Sequence, residues 1–239
     1  MRQGERQGQG GALQTPSTIA LDGPVAAGKT AVGRLLSSRL GYRFLDTGSM
    51  YRALTWLAVQ KGVAPQDEQA LIHLAHQASI QVSQRNGEEQ VYVDGAEVTQ
   101  ELRQPEVEQR VSLVSRIPGV REAMVRLQQA LAQGGRIVMS GRDIGTVVLP
   151  DAELKCFLVA SPEERARRRH RELREQGYQV SYQQVLQELL DRDRLDSERA
   201  YSPLRPAPDA CLLDTDGISV EQVVEKILSL IEGGNGDRL

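Results

Sequence analysis

The segment at residues 23–30, GPVAAGKT, restricts what this chain of 239 residues can fold into more than any other feature. It fits the pattern G-x-x-x-x-G-K-[ST] of a phosphate-binding loop. A short apolar strand pattern at residues 18–21 precedes it, and apolar residues recur at helical spacing over residues 29–40. Backbone N–H groups of such a loop and the positive end of the following helix surround an anion. The sequence therefore predicts a site for a nucleoside triphosphate.

Two side chains add to what the main chain of this loop can hold. Lys29 brings a full positive charge to the phosphates, and Thr30 is expected to place its hydroxyl on the magnesium ion that accompanies ATP. We therefore predict ATP and Mg2+ as cofactors. The residues expected to line the ATP site are Gly23, Pro24, Val25, Ala26, Ala27, Gly28, Lys29, Thr30 and Ala31.

Strand and helix patterns alternate along most of the chain, which favours a parallel sheet with helices on both faces. The prediction is an α/β fold with the three-layer core of P-loop NTPases. Between residues 79 and 99 the period changes to alternation, with tight-turn pairs at Asn86-Gly87 and Asp94-Gly95. This segment is predicted to be a small β-rich insertion. Further helices are expected at residues 49–61, 105–131 with a break at 117–119, 162–176, 181–196 and 220–231.

Composition and charge argue against several other classes of protein. The formal net charge is −3, so there is no overall basic field to attract nucleic acid. No apolar run reaches the roughly 20 residues that span a bilayer. Residues 1–17 lack the apolar segment of a secretory signal and are predicted to form a disordered leader, and residues 232–239 a flexible tail. We therefore expect a cytoplasmic location.

The cysteines and histidines do not form a recognisable reactive or metal-binding set. Cys156 and Cys211 lie far apart, each in an apolar stretch, and are expected to be buried free thiols. His73 and His76 are three residues apart on a predicted surface helix, and His170 lies among arginines. Two histidines make an incomplete metal site, so solvated surface roles are expected.

A phosphate-binding loop alone does not separate GTPases, motors, transporter subunits and small kinases. The chain has no Asn/Thr-Lys-x-Asp stretch to read guanine, and no apolar run that ends in the paired acids of an ATPase. Arginines instead lie at the ends of several predicted elements, where a planar guanidinium suits bidentate contact with phosphate. These arginines are Arg52, Arg121, Arg142, Arg192 and Arg199.

Five segments, GPVAAGKT, LDTGSMYR, SGRDIGTVV, RDRLDSER and SVEQVVEKI, together resemble bacterial cytidylate kinases in their order and separation. The resemblance extends over about residues 18–231, and the second and third segments are its most specific part. It implies transfer of the γ-phosphoryl group of ATP to CMP or dCMP. It also implies a kinase domain with a region that binds the nucleoside monophosphate at about residues 76–116 and a helical lid at about residues 162–182.

The resemblance also implies roles for side chains outside the loop. Arg52, Arg142 and Arg199 would hold the CMP phosphate and share the charge that develops during transfer, with Lys29 on the ATP side. An arginine and an acid would complement the edge of cytosine, which both donates and accepts hydrogen bonds. The residues implied for cytosine recognition are Arg121, Asp143 and Ser112, and Thr47 and Tyr51 would line the same pocket. The ribose hydroxyls would be held by Arg192 and Asp196.

Simpler explanations exist for these side chains when each is taken alone. A single arginine is ordinarily a solvated surface residue, and a serine on a helix, such as Ser112, ordinarily faces solvent. Arg192 and Asp196 would form an ordinary ion pair one helical turn apart. These explanations are weaker for several arginines that fall in matching motifs.

Residues 164–174 contain six arginines, which are typical of a solvated basic helix. Beside an ATP site, however, this helix resembles the lid that closes over the transferring phosphates and excludes water. Arg165, Arg168 and Arg169 share one helix face. We expect Arg165 and Arg169 to be catalytic, together with Lys29, Arg142 and Arg199.

Two positions depart from the family pattern, because Ala26 stands where many members have glycine and Ala31 where many have a second hydroxyl. We expect altered nucleotide affinity at most, since the main chain of the loop does most of the holding. No histidine-based constellation is needed, because the accepting phosphate is already ionised near neutral pH.

Two other functions remain open at this stage. The first is a related P-loop kinase for UMP, dTMP or a non-nucleotide acid, which a substrate panel distinguishes. The second is a module that holds ATP without transferring its phosphate, which would form no ADP when CMP is added. The expected partners are the small molecules CMP and dCMP, with no nucleic acid and no membrane, and the expected state is a monomer.

Overall fold

Two β-sheets and the helices around them make up the part of the chain that the computed structural model describes, residues 15–85 and 87–233. The strands are β1 (Thr18–Asp22), β2 (Arg43–Asp46), β3 (Ile80–Arg85), β4 (Glu88–Val93), β5 (Ala96–Glu97), β6 (Ile137–Ser140), β7 (Leu154–Val159) and β8 (Cys211–Asp214). The α-helices are α1 (Lys29–Leu40), α2 (Thr47–Gln60), α3 (Glu68–Gln77), α4 (Pro105–Ser115), α5 (Pro118–Ala132), α6 (Pro162–Glu175), α7 (Tyr182–Ser197) and α8 (Val220–Gly233).

The larger sheet is parallel throughout and has the strand order β2-β6-β1-β7-β8. β1 lies at its centre, with Ala20 opposite Met139 of β6. Because the carboxyl ends of parallel strands meet at one edge of a sheet, the residues that end β1, β2 and β6 lie near one another. These residues are Asp22, Asp46 and Ser140. This edge is therefore where a site is expected.

Helices pack on both faces of this sheet, which confirms the predicted three-layer α/β core. Ile19 and Leu21 of β1 lie in a buried cluster with residues of α1 and α8. Ala20, between them, lies in the cluster on the other face, with residues of α2, α3 and α5. Both faces of β1 are thus apolar and buried, as expected for a central strand of a parallel sheet.

The second sheet is antiparallel, has the order β3-β4-β5, and lies where the sequence predicts a small insertion. Asp94 and Gly95 both have positive φ angles, of 50° and 86°, which suit the two-residue turn between β4 and β5. Asn86, in the predicted turn between β3 and β4, lies outside the described residues. Val91 and Val93 of β4 belong to the same buried cluster as α2, so the insertion packs on the core.

The structure differs from the expectations at three places. α2 begins at Thr47 rather than at residue 49, because the Asp46 carboxylate accepts a hydrogen bond from the Gly48 N–H at 3.0 Å and caps the helix. Residues Ile144–Val148 form a π-helical turn that no sequence pattern predicted. Cys211 is half-buried rather than buried, because β8 is an edge strand.

The predicted leader also ends earlier than expected. The carbonyl oxygen of Ser17 accepts a hydrogen bond from Ile137 at 3.1 Å, and the Ser17 N–H donates to Glu153 at 3.1 Å, so Ser17 is bound to the core. Residues 1–14 of the predicted leader and the predicted tail from residue 234 onward lie outside the described residues. Within the described ranges, no helix is both long and apolar enough to cross a membrane.

Candidate active site

The loop at residues 23–28 turns sharply between β1 and α1. Gly23, Ala26 and Gly28 have positive φ angles of 146°, 59° and 93°. A Cβ atom on Gly23 would collide with the carbonyl oxygen of Leu158 in β7, so only glycine fits there. α1 then begins at Lys29, and its first N–H groups have no partners within the helix. The local sequence thus produces the anion-binding turn that the pattern predicts.

Lys29 is nearly buried in this loop, with 9% of its surface exposed. Its ammonium group donates to the carbonyl oxygen of Pro24 at 2.6 Å. Burial lowers the pKa of Lys29 well below its ordinary value, and the positive charge of Arg142 lowers it further, whereas the Asp46 and Asp22 carboxylates act in the opposite direction. Arg142 is therefore close enough to Lys29 for their charges to interact. The glycine-rich loop and this arginine follow β1 and β6, so both lie at the carboxyl edge of the larger sheet.

Two carboxyl groups that sequence reasoning missed lie near Thr30. The Thr30 hydroxyl donates to the Asp46 carboxylate at 2.9 Å, and the Asp46 N–H donates to the Glu89 carboxylate at 2.9 Å. Burial and the negative charge of Asp46 together raise the pKa of Glu89 to about 7. Hydroxyl and carboxylate oxygens are ligands that Mg2+ prefers. The pair of Thr30 and Asp46 therefore fits a magnesium ion.

Asp22, the last residue of β1, connects the glycine-rich loop to the segment that follows β6. Its two carboxylate oxygens accept hydrogen bonds from the N–H groups of Ile144 and Gly145 at 2.8 and 2.7 Å. The residue is 3% exposed, and burial raises its pKa to about 6 despite these two hydrogen bonds. Arg142 and Asp143 directly precede Ile144 and Gly145. The Asp22 side chain therefore holds the segment that carries Arg142 and Asp143 against the end of β1.

The residues implied for cytosine recognition form a cluster around Arg121. Its guanidinium pairs with the Asp143 carboxylate, donates to the Ser115 carbonyl oxygen at 3.0 Å and lies 5.4 Å from the centre of the Tyr51 ring. Arg121 Nε is buried without a hydrogen-bond partner among the described residues. Although burial alone lowers the pKa of Arg121, Tyr51 and Asp143 raise it above its ordinary value. Ser112 lies half-buried one turn before Ser115 on α4.

Asp196 brings together two of the arginines implied for the CMP phosphate. Arg142 Nε donates to one oxygen of the Asp196 carboxylate at 2.6 Å, and Arg199 pairs with the other oxygen. Asp196 is 1% exposed. Burial alone would raise its pKa, but the charges of Arg142 and Arg199 bring the pKa below its ordinary value. Two arginines from different segments are thus held at one carboxylate.

Arg52 and Arg192 meet at another carboxylate, Glu108 of α4, which sequence reasoning also missed. Arg52 Nε donates to Glu108 Oε1 at 2.7 Å, and Arg192 Nη1 lies 3.9 Å from Glu108 Oε2. The simple ion pair between Arg192 and Asp196 is not formed, because Asp196 pairs with Arg142 and Arg199. No sequence signal marks Glu108, since its partners are distant along the chain.

The helix of the predicted lid, α6, packs against α7, and Arg165 connects both helices to the glycine-rich loop. Its guanidinium makes two contacts with the Asp193 carboxylate, at 3.0 and 2.5 Å, and donates to the Val25 carbonyl oxygen at 3.2 Å. Arg169 instead pairs with Glu172 of its own helix at 2.8 Å. Contact of either arginine with phosphate remains a prediction.

Most of the predicted side chains therefore come together at the carboxyl edge of the larger sheet. Thr47 is among them, because its hydroxyl donates to the Ser140 carbonyl oxygen at the end of β6, at 2.9 Å. The arrangement offers a main-chain cradle for one anion and a guanidinium cradle for a second anion beside it. The role of each side chain toward a ligand is still a prediction.

Comparison with known proteins gives one consistent family. The family model of cytidylate kinase matches residues 19–233. The chain is 51% identical over 217 residues to a cytidylate kinase of Pelotomaculum thermopropionicum, which covers 90% of this chain and 96% of that protein. It is 47% identical over 215 residues to a cytidylate kinase of Bacillus licheniformis, which covers 90% of this chain and 95% of that protein.

Among solved structures, a shikimate kinase from Acinetobacter baumannii in complex with shikimate aligns over 94% of this chain and 97% of its own, at 21% identity and a TM-score of 0.46.

A third relative by sequence, a cytidylate kinase of Geobacillus kaustophilus, is 51% identical over 214 residues, which covers 90% of this chain and 96% of that protein. Because the family model matches most of the chain and such similar relatives span nearly all of it, the chain belongs to the cytidylate kinase family.

Proposed function

We propose that this pocket transfers the γ-phosphoryl group of ATP to the phosphate of CMP or dCMP, as a phosphotransferase of pyrimidine nucleotide metabolism. Membership of the cytidylate kinase family supports both the reaction and the substrates. The observation that carries the proposal is the contact of Asp22, directly before the glycine-rich loop, with the N–H groups of Ile144 and Gly145, which directly follow Arg142 and Asp143 in the arginine cluster. A protein that only held ATP would have no use for a second anion cradle beside the first.

The chemistry of this transfer needs little from the protein besides position and charge. The attacking atom is an oxygen of the CMP phosphate, which is already ionised near neutral pH, so no side chain has to remove a proton from it. The new P–O bond forms as the bond between the γ-phosphorus and the β,γ-bridging oxygen breaks, and ADP leaves. The cationic side chains of the pocket would stabilise the negative charge on the transferring group.

Each part of the pocket has a proposed task in this reaction. The amides of residues 23–31 and the Lys29 ammonium hold the phosphates of ATP. Arg52, Arg142 and Arg199 hold the CMP phosphate. Arg121 and Asp143 complement the donor and acceptor edge of cytosine, and the fixed ion pair between them supports this assignment. The other proposed contacts are those of Thr47, Tyr51 and Ser112 with the base pocket, of Arg192 and Asp196 with the ribose, and of Arg165 and Arg169 with the transferring phosphate.

Mg2+ is the proposed metal, with the Thr30 hydroxyl as its protein ligand and the Asp46 carboxylate beside it. Their 2.9 Å contact and their oxygen donors support this assignment. A magnesium ion uses few protein ligands when it also binds phosphates, which agrees with the lack of any larger acidic or histidine cluster among the described residues. When bound, the ion neutralises charge on the β- and γ-phosphates.

The loop assignment is tested by Lys29→Ala in an assay of ADP release. We expect kcat to fall by more than about 100-fold, because a positioned charge at this point contributes several kcal/mol to the transition state. The binding of CMP alone should be retained, which shows that the variant is folded. Lys61→Ala, which removes an exposed lysine after α2, is the matched control. Activity of Lys29→Ala within about tenfold of the parent would exclude the proposed role of the loop.

The substrate assignment is tested by a panel of CMP, dCMP, UMP and dTMP in the same assay. We expect CMP and dCMP to react with kcat/KM at least about 100-fold above UMP, because uracil presents an N3–H donor and an O4 acceptor where cytosine presents the reverse. Arg121→Gln should reduce this discrimination. Equal turnover of UMP by the parent chain would contradict the roles of Arg121 and Asp143.

We further propose that the chain acts as a monomer on free nucleotides in the cytoplasm, without a membrane or nucleic-acid partner. The net charge of −3 and the family membership support this view. Sedimentation at micromolar concentration should give the mass of one chain. A dimer that persists on dilution would contradict the proposed monomer.

A further inference from the structure

Glu108 on α4 is a carboxylate that stands between two arginines of the pocket. Its Oε1 accepts from Arg52 Nε at 2.7 Å, and its Oε2 lies 3.9 Å from Arg192 Nη1. Arg52 belongs to α2, Glu108 to α4 after the insertion, and Arg192 to α7. One side chain therefore connects three separate elements at the place proposed for the phosphate and ribose of CMP.

The charges around Glu108 show why a carboxylate is needed there. Burial and the positive charges of Arg142 and Arg52 together lower the pKa of Arg192 to about 10, so these guanidinium groups repel one another. Although burial alone raises the pKa of Glu108, Arg52 and Arg192 bring it below its ordinary value. Glu108 is thus held as an anion at the point where cations must gather.

A second carboxylate in the pocket has the same arrangement. Asp196 accepts from Arg142 Nε with one oxygen and pairs with Arg199 through the other. Both Glu108 and Asp196 bind an arginine through Nε. This leaves the two Nη groups, the edge that makes bidentate contact with phosphate, available on Arg52 and Arg142.

We propose that Glu108 is a positioning residue that gathers Arg52 and Arg192 into the substrate cradle before CMP arrives. The inference rests on the proposed role of Arg52 toward the CMP phosphate. Without Glu108, repulsion between the guanidinium groups drives them apart, and the substrate must supply the charge that assembles them. The opposite role, in which Glu108 competes with the phosphate for Arg52, predicts that loss of the carboxylate lowers KM for CMP, whereas the contact through Nε leaves both Nη groups of Arg52 to the phosphate.

The test compares Glu108→Gln with Glu106→Gln in the ADP-release assay, with CMP varied at saturating ATP and ATP varied at saturating CMP. Glu106 lies on the same helix, is more exposed, and pairs with Arg110 of that helix at 2.6 Å, so it is a matched control. We expect Glu108→Gln to raise KM for CMP by about tenfold and KM for ATP by less than about twofold. Glu106→Gln should leave both values unchanged.

A double-variant cycle with Arg52→Gln separates this inference from the function on which it rests. Arg52→Gln alone should raise KM for CMP, and adding Glu108→Gln should raise it little further, because both changes remove the same interaction. If Arg52→Gln leaves KM for CMP unchanged, the proposed role of Arg52 is wrong. If Arg52→Gln raises KM for CMP but Glu108→Gln leaves that KM unchanged or lowers it, only the role of Glu108 is wrong. The same conclusion follows if the double variant shows the full product of the two single effects on KM for CMP.

Discussion

Ala26 occupies an unusual backbone conformation for a residue with a side chain. Its φ angle is 59°, in the left-handed region, and it lies in the glycine-rich loop between Gly23 and Gly28. The resemblance to cytidylate kinases led us to expect glycine at this position. The structure supplies the physical reason, because the left-handed conformation costs an alanine about 1–2 kcal/mol and costs a glycine almost nothing.

We predict that Ala26→Gly stabilises the protein by about 1 kcal/mol or slightly less. Relief of the backbone strain is partly offset by the larger freedom of glycine in the unfolded chain, which costs about 0.4–1 kcal/mol. Thermal unfolding should show a rise in Tm of about 2–4 °C. Ala27→Gly is the control, because Ala27 is fully buried and has no positive φ, so this change should lower Tm. A fall in Tm for Ala26→Gly would contradict the assignment of strain.

Asp22 should make the stability of the protein depend on pH. Burial raises its pKa from 3.8 to about 6, so between these values the folded chain binds a proton that the unfolded chain has released. The contribution of Asp22 is therefore most favourable below pH 4, and it is lost as the pH rises to about 6. Relative to Asp22→Asn, which cannot titrate, the parent should lose about 2–3 kcal/mol between pH 4 and pH 7. Urea unfolding of both proteins at several pH values measures this, and a constant difference would contradict the prediction.

Some of the side chains that sequence reasoning missed had a signal in the sequence, whereas Glu108 had none. Asp22 and Asp46 each end an apolar strand, and an acid at the carboxyl end of a parallel strand is a reasonable site candidate. Glu108 had no such mark, because only the folded chain brings α4 beside Arg52. The ion pair of Arg121 with Asp143 was expected as two separate contacts with cytosine, and the structure adds that the two side chains hold each other.

The contact between α6 and α7 depends on a side chain that was expected only to reach phosphate. Arg165 is 2% exposed and makes two contacts with Asp193 of α7, as well as one with the carbonyl oxygen of Val25. A buried arginine in this position fixes both α6, the helix of the proposed lid, and α7 to the glycine-rich loop. Arg165 therefore has an observed structural contact and a proposed catalytic contact, and a pair of variants distinguishes the two roles.

We predict that Arg165→Met lowers the free energy of unfolding by about 2 kcal/mol, because it leaves the Asp193 carboxylate without its partner. Adding Asp193→Leu should restore most of this stability, since the two apolar side chains can pack together. KM for ATP and kcat should remain impaired in the double variant if Arg165 also meets the transferring phosphate. Recovery of both stability and activity would show that Arg165 is only structural.

The helices and strands themselves were largely predictable, because their apolar periods are regular. The break at residues 117–119 correctly separated α4 from α5, and the change of period at residue 79 marked the second sheet. The π-helical turn Ile144–Val148 was missed because its shape comes from a tertiary contact. Asp22 binds the N–H groups of Ile144 and Gly145 from a strand more than a hundred residues earlier, and no local pattern records that.

The molecule as a whole should respond to CMP by becoming more stable. A ligand that binds only the folded chain adds about 2.7 kcal/mol at 100 times its Kd. For a chain of this length we expect a rise in Tm of about 5–10 °C. Arg52→Gln should reduce this rise, whereas Glu106→Gln should leave it intact. No shift with CMP, in a protein that binds ATP, would contradict the second anion cradle.

The arrangement of the whole chain was predictable as a class but not in its detail. Alternating strands and helices indicated a parallel sheet, and the motifs indicated two phosphate sites. The strand order, with β1 between β6 and β7, could not be derived from periodicity, yet it is what places the three acidic or polar strand ends together. The side-by-side position of Cys156 and Cys211 on β7 and β8 was equally hidden, because they are far apart in sequence.

Three carboxylates face the five arginines of the cluster: Asp143 faces Arg121, Asp196 faces Arg142 and Arg199, and Glu108 faces Arg52 and Arg192. The five guanidinium groups therefore exceed these three carboxylates by two positive charges. The phosphate of a mononucleotide carries about that much negative charge near neutral pH, so the proposed substrate would complete the balance that the carboxylates leave open.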